Sequence, residues 1–401
     1  MLTIERLNLR AEGVAQGLTV ERVLPGETVD GEVLAGRIAQ PKILTPSGDR
    51  VAAPCRHYRA CGGCALMHAS DGFVAGWKSG VVQQALAGQG LEAPLRPILT
   101  SPPASRRRAA LAGRRLKSGA LVGFHARASD TLTAIADCRL LDPALIAAIP
   151  AMEALVEVGA ARKGEVRLTA TRLDSGVDLV VEGGKPLDTA LRVALPQIAA
   201  RHRLARLVWG DEVLFQEAPP GLAMGRARVT PPPGAFLQAT PQGEAALRDA
   251  VIEAVGPARR ILDLFAGCGT FTLPLATTAE VHAVEGAAPL LQALAAGWRG
   301  APGVKRVSTE ARDLFRRPLL PDELARFDAV VIDPPRAGAE AQVAELAQSQ
   351  VPVIAYVSCN PVTFARDSRV LIGAGYRLDW VQPVDQFRWS AHVELVARLS
   401  R

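Results

Sequence analysis

The chain has 401 residues, 49% of them hydrophobic and 21% charged, with a formal net charge of +6. This length is enough for two or three domains with buried cores. No uncharged apolar run is long enough to span a membrane, and Glu5 and Arg6 fall where a signal peptide needs apolar residues, so we expect a cytoplasmic protein with no membrane span.

The first stretch, residues 1–52, contains short apolar segments separated by glycines and by Pro25-Gly26. Short strands with frequent turns are typical of a small OB-like β-barrel, and we expect this barrel to be the first domain. Acidic and basic residues nearly balance within it. Its composition therefore fits a plain structural module as well as an RNA-binding one.

The second stretch, residues 53–225, is expected to form an α+β middle domain with strands at 166–170, 177–181, 207–209 and 213–215. Near its start three cysteines are clustered, and a fourth follows far downstream: Cys55, Cys61, Cys64 and Cys138. Cytosolic cysteines rarely form disulfides, and structural zinc sites usually offer two cysteine pairs. The spacing favours a [4Fe–4S] cluster, with zinc and unligated thiols as the alternatives.

A basic segment lies between the third and fourth of these cysteines. Residues 61–150 carry ten Lys or Arg against five Asp or Glu. The cluster comprises Arg106, Arg107, Arg108, Arg114, Arg115 and Lys117. It could contact a phosphate backbone, although a solvated basic face is the alternative.

The third stretch, residues 226–401, alternates between strand-like and helical segments. Thr240 and Pro241 are expected to begin a helix that runs to about Val255. Strands near 261–266, 280–285, 304–308, 327–333 and 351–357 predict a doubly wound, Rossmann-like parallel sheet. The last two strands, near 376–384 and 392–399, are joined too closely for a crossover helix. The final strand is therefore expected to be an antiparallel edge strand.

A glycine turn follows the first strand of this sheet, in the sequence Asp263-Leu-Phe265-Ala-Gly267-Cys-Gly269. It lacks the third glycine of a dinucleotide fingerprint, which favours S-adenosylmethionine over NAD. Glu285 ends the next strand, where ribose hydroxyls would bind, and Asp313 follows the third strand, near the expected adenine. The expected cofactor-site residues here are Asp263, Phe265, Gly267, Gly269, Glu285 and Asp313.

Two later strand ends carry residues suited to catalysis. Cys359 follows the fifth strand and is placed as a nucleophile, although a packing cysteine is the alternative. Pyrimidine C5 needs a thiolate added at C6 before it can accept a methyl group, and a base must then remove the C5 proton. Glu394, on the same face of the last strand as His392, is the candidate base. Asp333 begins an Asp-Pro-Pro-Arg sequence in which Arg336 replaces the aromatic residue that would suit methylation of an exocyclic nitrogen.

With these motifs the chain resembles the iron–sulfur-containing 5-methyluridine methyltransferases of 23S rRNA and the related tRNA uridine-54 enzymes. The resemblance covers nearly the whole chain and rests on C-x5-C-x2-C, F-x-Q, D-x-F-x-G-x-G-T, DPPR, SCNP and H-x-E. It implies a TRAM-like barrel that helps to hold RNA, a [4Fe–4S] cluster on the four cysteines, Cys359 as nucleophile and Glu394 as base. It also implies that Gln238, Glu285 and Asp333 line the cofactor and uridine pocket. Thr240 departs from the family, which usually has Asn there.

The expected activity is therefore S-adenosylmethionine-dependent C5-methylation of a uridine in RNA, most readily 23S rRNA, through a covalent adduct between Cys359 and C6. The cluster would be structural, because the reaction involves no redox change. The alternatives are a tRNA uridine-54 methyltransferase, a cytidine C5-methyltransferase, and an RNA-binding iron–sulfur protein with a degenerate methyltransferase domain. RNA is the expected partner, and a monomer is compatible with the sequence.

Overall fold

The computed structural model describes residues 1–401 and begins with two small sheets. Strands β1, β5 and β7 form an antiparallel sheet, and β2, β3, β4 and β6 form the other. Apolar side chains such as Ile4, Val20 and Ile38 fill a small core between them. An N-terminal β domain is therefore present. Its strands are β1 (Leu2–Thr3), β2 (Arg6–Leu7), β3 (Gly13–Ala15), β4 (Leu18–Val20), β5 (Thr28–Asp30), β6 (Arg37–Ile38) and β7 (Lys42–Thr45).

Helix α1 (Asp71–Ala87) and strand β8 (Leu99–Thr100) follow, and a seven-stranded sheet comes next. This sheet has the order β11-β10-β9-β12-β13-β14-β15. The four strands expected in this region, β12 to β15, are confirmed. The sequence does not predict the three strands before them, β9 to β11, or the helices α2 and α3. The elements are β9 (Arg108–Arg115), β10 (Ala120–His125), β11 (Leu132–Ala134), α2 (Pro143–Ala147), α3 (Ile149–Gly159), β12 (Glu165–Leu173), β13 (Gly176–Glu182), α4 (Thr189–Arg201), β14 (Arg206–Trp209) and β15 (Glu212–Gln216).

The basic cluster is not a single exposed face. Arg107 is only 3% exposed, and its guanidinium pairs with Glu244 and donates to the Gln238 carbonyl. Arg114 is paired with Glu165. The expectation that Arg107 meets a phosphate backbone is wrong, because its charge is satisfied inside the protein.

The C-terminal part of the chain contains a two-stranded hairpin and a large sheet. The sheet has the order β20-β19-β18-β21-β22-β24-β23-β8, so β8 joins it from far upstream. Its elements, with the preceding hairpin, are β16 (Leu222–Met224), β17 (Ala227–Val229), α5 (Pro241–Val255), β18 (Arg260–Leu264), α6 (Thr272–Leu275), β19 (Glu280–Glu285), α7 (Ala288–Arg299), β20 (Val307–Ala311), α8 (Pro321–Leu324), β21 (Ala329–Ile332), α9 (Glu340–Gln348), β22 (Val353–Ser358), α10 (Pro361–Gly373), β23 (Arg377–Asp385) and β24 (Glu394–Ser400).

Alternating burial along these strands creates two apolar faces. Leu262 and Leu264 of β18 face a core that also contains residues of α1, α9 and α10. Ile261 faces the opposite core, which is shared with α5 and α7. Helices on both faces of a mainly parallel sheet are the arrangement of a doubly wound fold. The expected Rossmann-like sheet is confirmed.

Two expectations about the ends of this region differ in outcome. Thr240 does cap α5, because its hydroxyl accepts the Gly243 backbone N–H at 2.9 Å. The last strand is antiparallel to both neighbours, as expected. It is not an edge strand, however, because it inserts between β22 and β23, and β8 extends the sheet beyond β23. The start of β24 is consequently buried.

The upstream segment that carries α1 and β8 packs with the C-terminal sheet. Val81, Val82 and Leu86 of α1 lie in the same apolar core as the sheet strands, and β8 pairs with the end of β23. The domain boundaries expected near residues 52 and 225 stay predictions. No helix of the chain combines the length and apolarity needed to cross a bilayer.

A buried ion pair connects α1 to the last residue of β23. Lys78 and Asp385 are 2.6 Å apart with side chains 0% and 1% exposed, and Lys78 also donates to the Phe387 carbonyl. Replacing Lys78 with methionine leaves the Asp385 carboxylate buried without its partner. We expect this change to lower the free energy of unfolding by about 3–5 kcal/mol, measured by urea denaturation.

The matched control for this prediction is Arg192→Met, which removes an exposed pair with Glu212. Solvent screens such a pair, so the free energy of unfolding should hardly change. If both variants lost the same free energy of unfolding, the buried Lys78–Asp385 pair would contribute no more to stability than an exposed pair, and the prediction would be wrong.

Candidate active site

The residues expected to bind the methyl-donating cofactor meet at one edge of the C-terminal sheet. The carboxyl ends of the parallel strands β18, β19, β21 and β22 lie there. The Glu285 carboxylate accepts backbone N–H groups from Gly267 at 3.1 Å and Ala287 at 2.9 Å. Gly269 has φ +103°, and a Cβ added to it would lie 2.9 Å from the Leu273 side chain. The turn therefore requires glycine at this position and holds Glu285 directly beside it.

A buried carboxylate, Asp263, and a half-buried one, Asp333, lie next to this turn and fit a cationic ligand. Asp263 accepts the Thr272 hydroxyl at 2.5 Å through one oxygen, while its other oxygen is buried without a partner. Burial raises the pKa of Asp263 to about 7. Burial, followed by repulsion from Asp263, raises the pKa of Asp333 to about 7 as well. S-adenosylmethionine carries sulfonium and ammonium charges that would stabilise both carboxylates in their ionised form.

The remaining two residues expected at the cofactor site, Phe265 and Asp313, both lie close to Phe315 at the rim of this edge. Phe265 has a positive φ of 62°, and its ring centroid is 5.6 Å from that of Phe315. The Asp313 carboxylate accepts the backbone N–H groups of Phe315 and Arg316 at 3.0 and 3.3 Å. Asp313 thus caps the turn that positions Phe315, an exposed aromatic residue that sequence reasoning did not select. A direct contact between Asp313 and adenine stays a prediction.

Cys359 and Glu394 are brought together by the antiparallel pairing of β22 with β24. Ser358 is in register with Leu395, so the next residues in either direction, Cys359 and Glu394, lie side by side. Both line a cavity of about 940 Å³. Burial, with added repulsion from Glu394 and Asp333, raises the pKa of Cys359 to about 11. The thiol is therefore neutral at rest.

Glu394 is only 3% exposed, which gives it an unusual proton affinity. Burial, then repulsion from Asp333, raises its pKa to about 8, although a hydrogen bond from Gln386 lowers it in part. A carboxylate with a pKa near the working pH is well suited to general base catalysis. His392 lines the same cavity, and its ring packs edge-on against Phe387 at 5.8 Å.

Gln238 lies in a buried hydrogen-bond network just outside the cavity lining. Its side-chain oxygen accepts the amide of Gln386 at 2.6 Å, and the Ala239 backbone N–H donates to Gln386 at 2.7 Å. Gln386 had not been selected from the sequence. The available signal was topological: it lies in the short connection between the last two strands, which returns to the same edge of the sheet.

The four expected metal ligands line the same cavity as Cys359 and Glu394: Cys55, Cys61, Cys64 and Cys138. Backbone N–H groups approach two of the sulfurs, Gly63 to Cys61 at 3.4 Å and Leu140 to Cys138 at 3.5 Å. Burial, then repulsion from the other three thiols, raises the pKa of Cys64 to about 12. No group of three or more His, Cys, Asp and Glu side chains is arranged to hold a metal ion. The metal assignment stays a prediction.

The cysteine loop is tied to the loop that leads to Glu394. The Trp389 carbonyl accepts the Ala65 and Leu66 backbone N–H groups at 2.7 and 2.9 Å. Arg336, read from the sequence mainly as a residue that excludes exocyclic-nitrogen methylation, also lines the cavity. The cavity thus joins the cysteine loop and the catalytic pair, which sequence reasoning had treated as separate sites.

Comparison with known proteins identifies the family. A family model described as tRNA (Uracil-5-)-methyltransferase matches residues 302–401. An RNA methyltransferase of Caulobacter vibrioides is 45% identical over 100% of this chain and 99% of its own length. The 23S rRNA (uracil(1939)-C(5))-methyltransferase RlmD of Halomonas elongata is 34% identical over 98% of this chain and 88% of its own. The chain belongs to the RNA (uracil-5-)-methyltransferase family.

The RNA (uracil-5-)-methyltransferase fold extends over the whole chain. The crystal structure of Pyrococcus abyssi tRNA (uracil-54, C5)-methyltransferase, in complex with S-adenosyl-L-homocysteine, superposes with a TM-score of 0.77 at 24% identity. The match covers 100% of this chain and 99% of that one. The expectations of an S-adenosylmethionine-dependent enzyme that acts on RNA are confirmed by family membership.

Proposed function

We propose that this RNA (uracil-5-)-methyltransferase methylates C5 of a uridine in 23S ribosomal RNA through a covalent intermediate. The observation that carries the proposal is the side-by-side placement of Cys359 and Glu394 in one cavity, beside Asp333. The relative RlmD, whose name specifies 23S rRNA, supports the choice of RNA. The glycine turn with Asp263, Gln238 and Glu285 would bind the cofactor.

The target uridine must leave its stack before it can enter the cavity, because C6 has to be open to sulfur on one face. The Cys359 thiol first loses its proton to water, its Sγ then bonds to C6, and the electron pair of the C5–C6 double bond moves to C5 and O4 as an enolate. The bound cofactor supplies an electrophilic methyl group, which C5 takes. Glu394 then removes the C5 proton, the double bond between C5 and C6 re-forms, and Cys359 leaves as a thiolate.

Nucleoside mapping tests the proposal. Unmodified transcripts of 23S rRNA and of tRNAs are incubated with the protein and S-adenosylmethionine, and methylated nucleosides are located by mass spectrometry. We expect 5-methyluridine at one position of 23S rRNA. Methylation of tRNA alone would replace ribosomal RNA by tRNA as substrate, and 5-methylcytidine would overturn the uridine assignment. A strain that lacks the protein should miss the same modification.

We also propose that the four cysteines hold a [4Fe–4S] cluster with a structural role. Four thiols lining one cavity are the donor set of such a cluster. Three clustered cysteines with a fourth far downstream match cluster ligation better than zinc, whose structural sites usually offer two cysteine pairs. The cluster would rigidify the loop whose Ala65 and Leu66 amides hold Trp389, and through it the approach to Glu394.

Replacing Cys64 with serine should remove the cluster and destabilise this loop. We expect anaerobically purified wild-type protein to be brown and to contain about four iron atoms per chain, and the Cys64→Ser variant to lose both features. Iron analysis and visible absorption measure this. Cys268→Ser is the control and should keep its iron. Colourless wild-type protein with stoichiometric zinc would contradict the cluster.

A further inference from the structure

The orientation of the Gln386 side chain is fixed by a backbone group. Gln386 is only 1% exposed, and the Ala239 N–H, which can only donate, lies 2.7 Å from its Oε1. The amide oxygen must therefore face Ala239, since the NH2 group has no acceptor to offer. The Gln386 nitrogen is left to donate to the Gln238 oxygen at 2.6 Å.

The orientation of the Gln386 amide also fixes the orientation of the Gln238 amide. Because the Gln238 oxygen accepts from Gln386, the Gln238 NH2 group is directed away from that contact. The NH2 group donates no hydrogen bond within the protein. Its nitrogen remains accessible to solvent, although Gln238 as a whole is only 4% exposed. A buried side chain whose single free group is a donor is suited to an acceptor on a ligand.

The packing around Gln386 is built to hold this conformation. A Cβ added at Gly243, in the first turn of α5, would lie 2.4 Å from the Gln386 Cβ and 3.0 Å from its Oε1. The absence of a side chain at Gly243 therefore makes the room that Gln386 occupies. The Gln386 side chain also lies close enough to the Glu394 carboxylate to lower its pKa in part, so the network lies on the side of the proposed catalytic pair.

Uracil and cytosine differ at C4, where uracil has a carbonyl oxygen that accepts and cytosine has an amino group that donates. We infer that Gln386 is a positioning residue that turns the Gln238 amide nitrogen toward the C4 carbonyl of the target base, so that the site selects uridine over cytidine. This inference rests on the proposed uridine methyltransferase activity. It moves Gln238 from the cofactor contact given above to a contact with the base.

The decisive variant is Gln386→Glu. An ionised carboxylate still accepts the Ala239 N–H but has no hydrogen to donate, so Gln238 must turn and donate to it; the selectivity is therefore measured at the alkaline end of the activity range, where the new carboxyl is ionised. The Gln238 oxygen then faces the base, where it repels the uracil carbonyl and accepts from the cytosine amino group. The substrates are a 23S rRNA transcript with its mapped target uridine and the same transcript with cytidine there. We expect the ratio of kcat/KM for uridine over cytidine to fall by about 10- to 100-fold.

Two further readouts separate this role from a purely structural one. The KM for S-adenosylmethionine should change by less than about 3-fold, because a hydrogen bond to the base is altered and not one to the cofactor. The rising limb of the pH–rate profile should move to higher pH, since a negative charge beside Glu394 favours its protonated form. Gln386→Met, which keeps the side-chain volume but removes both hydrogen bonds, should lower the selectivity without reversing it.

The matched control is Gln342→Met. Gln342 is also fully buried and bridges the Leu319 N–H and carbonyl at 2.8 and 3.1 Å, but it lies in another part of the core. This variant should lose stability while its base selectivity and pH profile stay unchanged. Wild-type protein that forms no 5-methyluridine in the uridine transcript would refute the proposed function. A functional wild type whose selectivity survives Gln386→Glu, with only the cofactor KM raised, would refute the role of Gln386.

Discussion

Replacing Cys359 with alanine is expected to abolish 5-methyluridine formation, with kcat/KM lower by at least about 10⁴-fold. Without the thiol, nothing adds to C6, and C5 keeps too little electron density to take the methyl group. The measurement is transfer of labelled methyl groups to a 23S rRNA transcript. A denaturing gel should at the same time show no protein–RNA adduct. Cys359→Ser should be almost as inactive, because a hydroxyl is a much weaker nucleophile than a thiolate.

The chain offers a matched control for this experiment in Cys268. Its side chain is buried in a separate apolar cluster with Leu173, Leu222 and Met224, away from the cavity. Cys268→Ala removes the same atom and should leave the methylation rate within about 3-fold, since only a packing contact is lost. If Cys359→Ala retained a normal rate while Cys268→Ala lost activity, the assignment of the nucleophile would be wrong.

The parts of the site that could be predicted from sequence are those that local chemistry dictates. A glycine turn after a buried strand places Asp263 and Gly267 at the carboxyl end of a sheet, and the predicted ends of the fourth and fifth strands do the same for Asp333 and Cys359. Each of these inferences needs only a dozen consecutive residues and the rule that parallel strands end at one edge. The structure places all of these residues at that edge.

The unpredicted parts depend on contacts between distant segments. Lys78 and Asp385 form their buried pair across most of the chain, and nothing local to either residue signals the other. The position of β24 between β22 and β23, which buries Glu394, follows from sheet order rather than from any periodicity. An edge strand and an inserted strand have the same antiparallel signature in sequence. The proton affinity of Glu394 could therefore not be foreseen.

The location of the cysteine loop is a second example. The spacing of the cysteines indicated a metal site but not where that site would lie relative to the catalytic residues. In the fold, the Trp389 carbonyl joins Ala65 and Leu66 to the segment that leads into β24. This link gives the proposed cluster a physical route to influence the base, through the position of a loop rather than through electron transfer.

Replacing Glu394 with glutamine is expected to separate methyl transfer from product release. Glutamine has nearly the same shape but cannot accept the C5 proton, so the methylated adduct between Cys359 and C6 should accumulate. We expect turnover to fall by about 10²- to 10⁴-fold. A protein–RNA band that survives denaturation and contains the transferred methyl label should appear. Glu253→Gln, which changes an exposed carboxylate paired with Arg96, is the control and should form product at the wild-type rate.

The pH dependence provides an independent check on the same residue. The pKa of Glu394 is raised to about 8, and a general base acts only when ionised. The rate of the proton-removal step should therefore decline about tenfold per pH unit below this value and level off above it. In Glu394→Gln this titration is absent from the proton-removal step. Formation of product at full rate, with an unchanged pH profile, would exclude Glu394 as the base.

Glu394→Gln should also change the pKa of the Cys359 thiol. The direction of that change tests whether the base lies beside the nucleophile. Repulsion from Glu394 contributes to the raised pKa of Cys359, so removing that charge lowers the pKa of the thiol. Adduct formation by Glu394→Gln should therefore begin at lower pH than the first step of the wild-type reaction, even though product release is blocked. A base whose loss slows one step while it eases the step before it must lie beside the nucleophile, as the register of β22 and β24 requires.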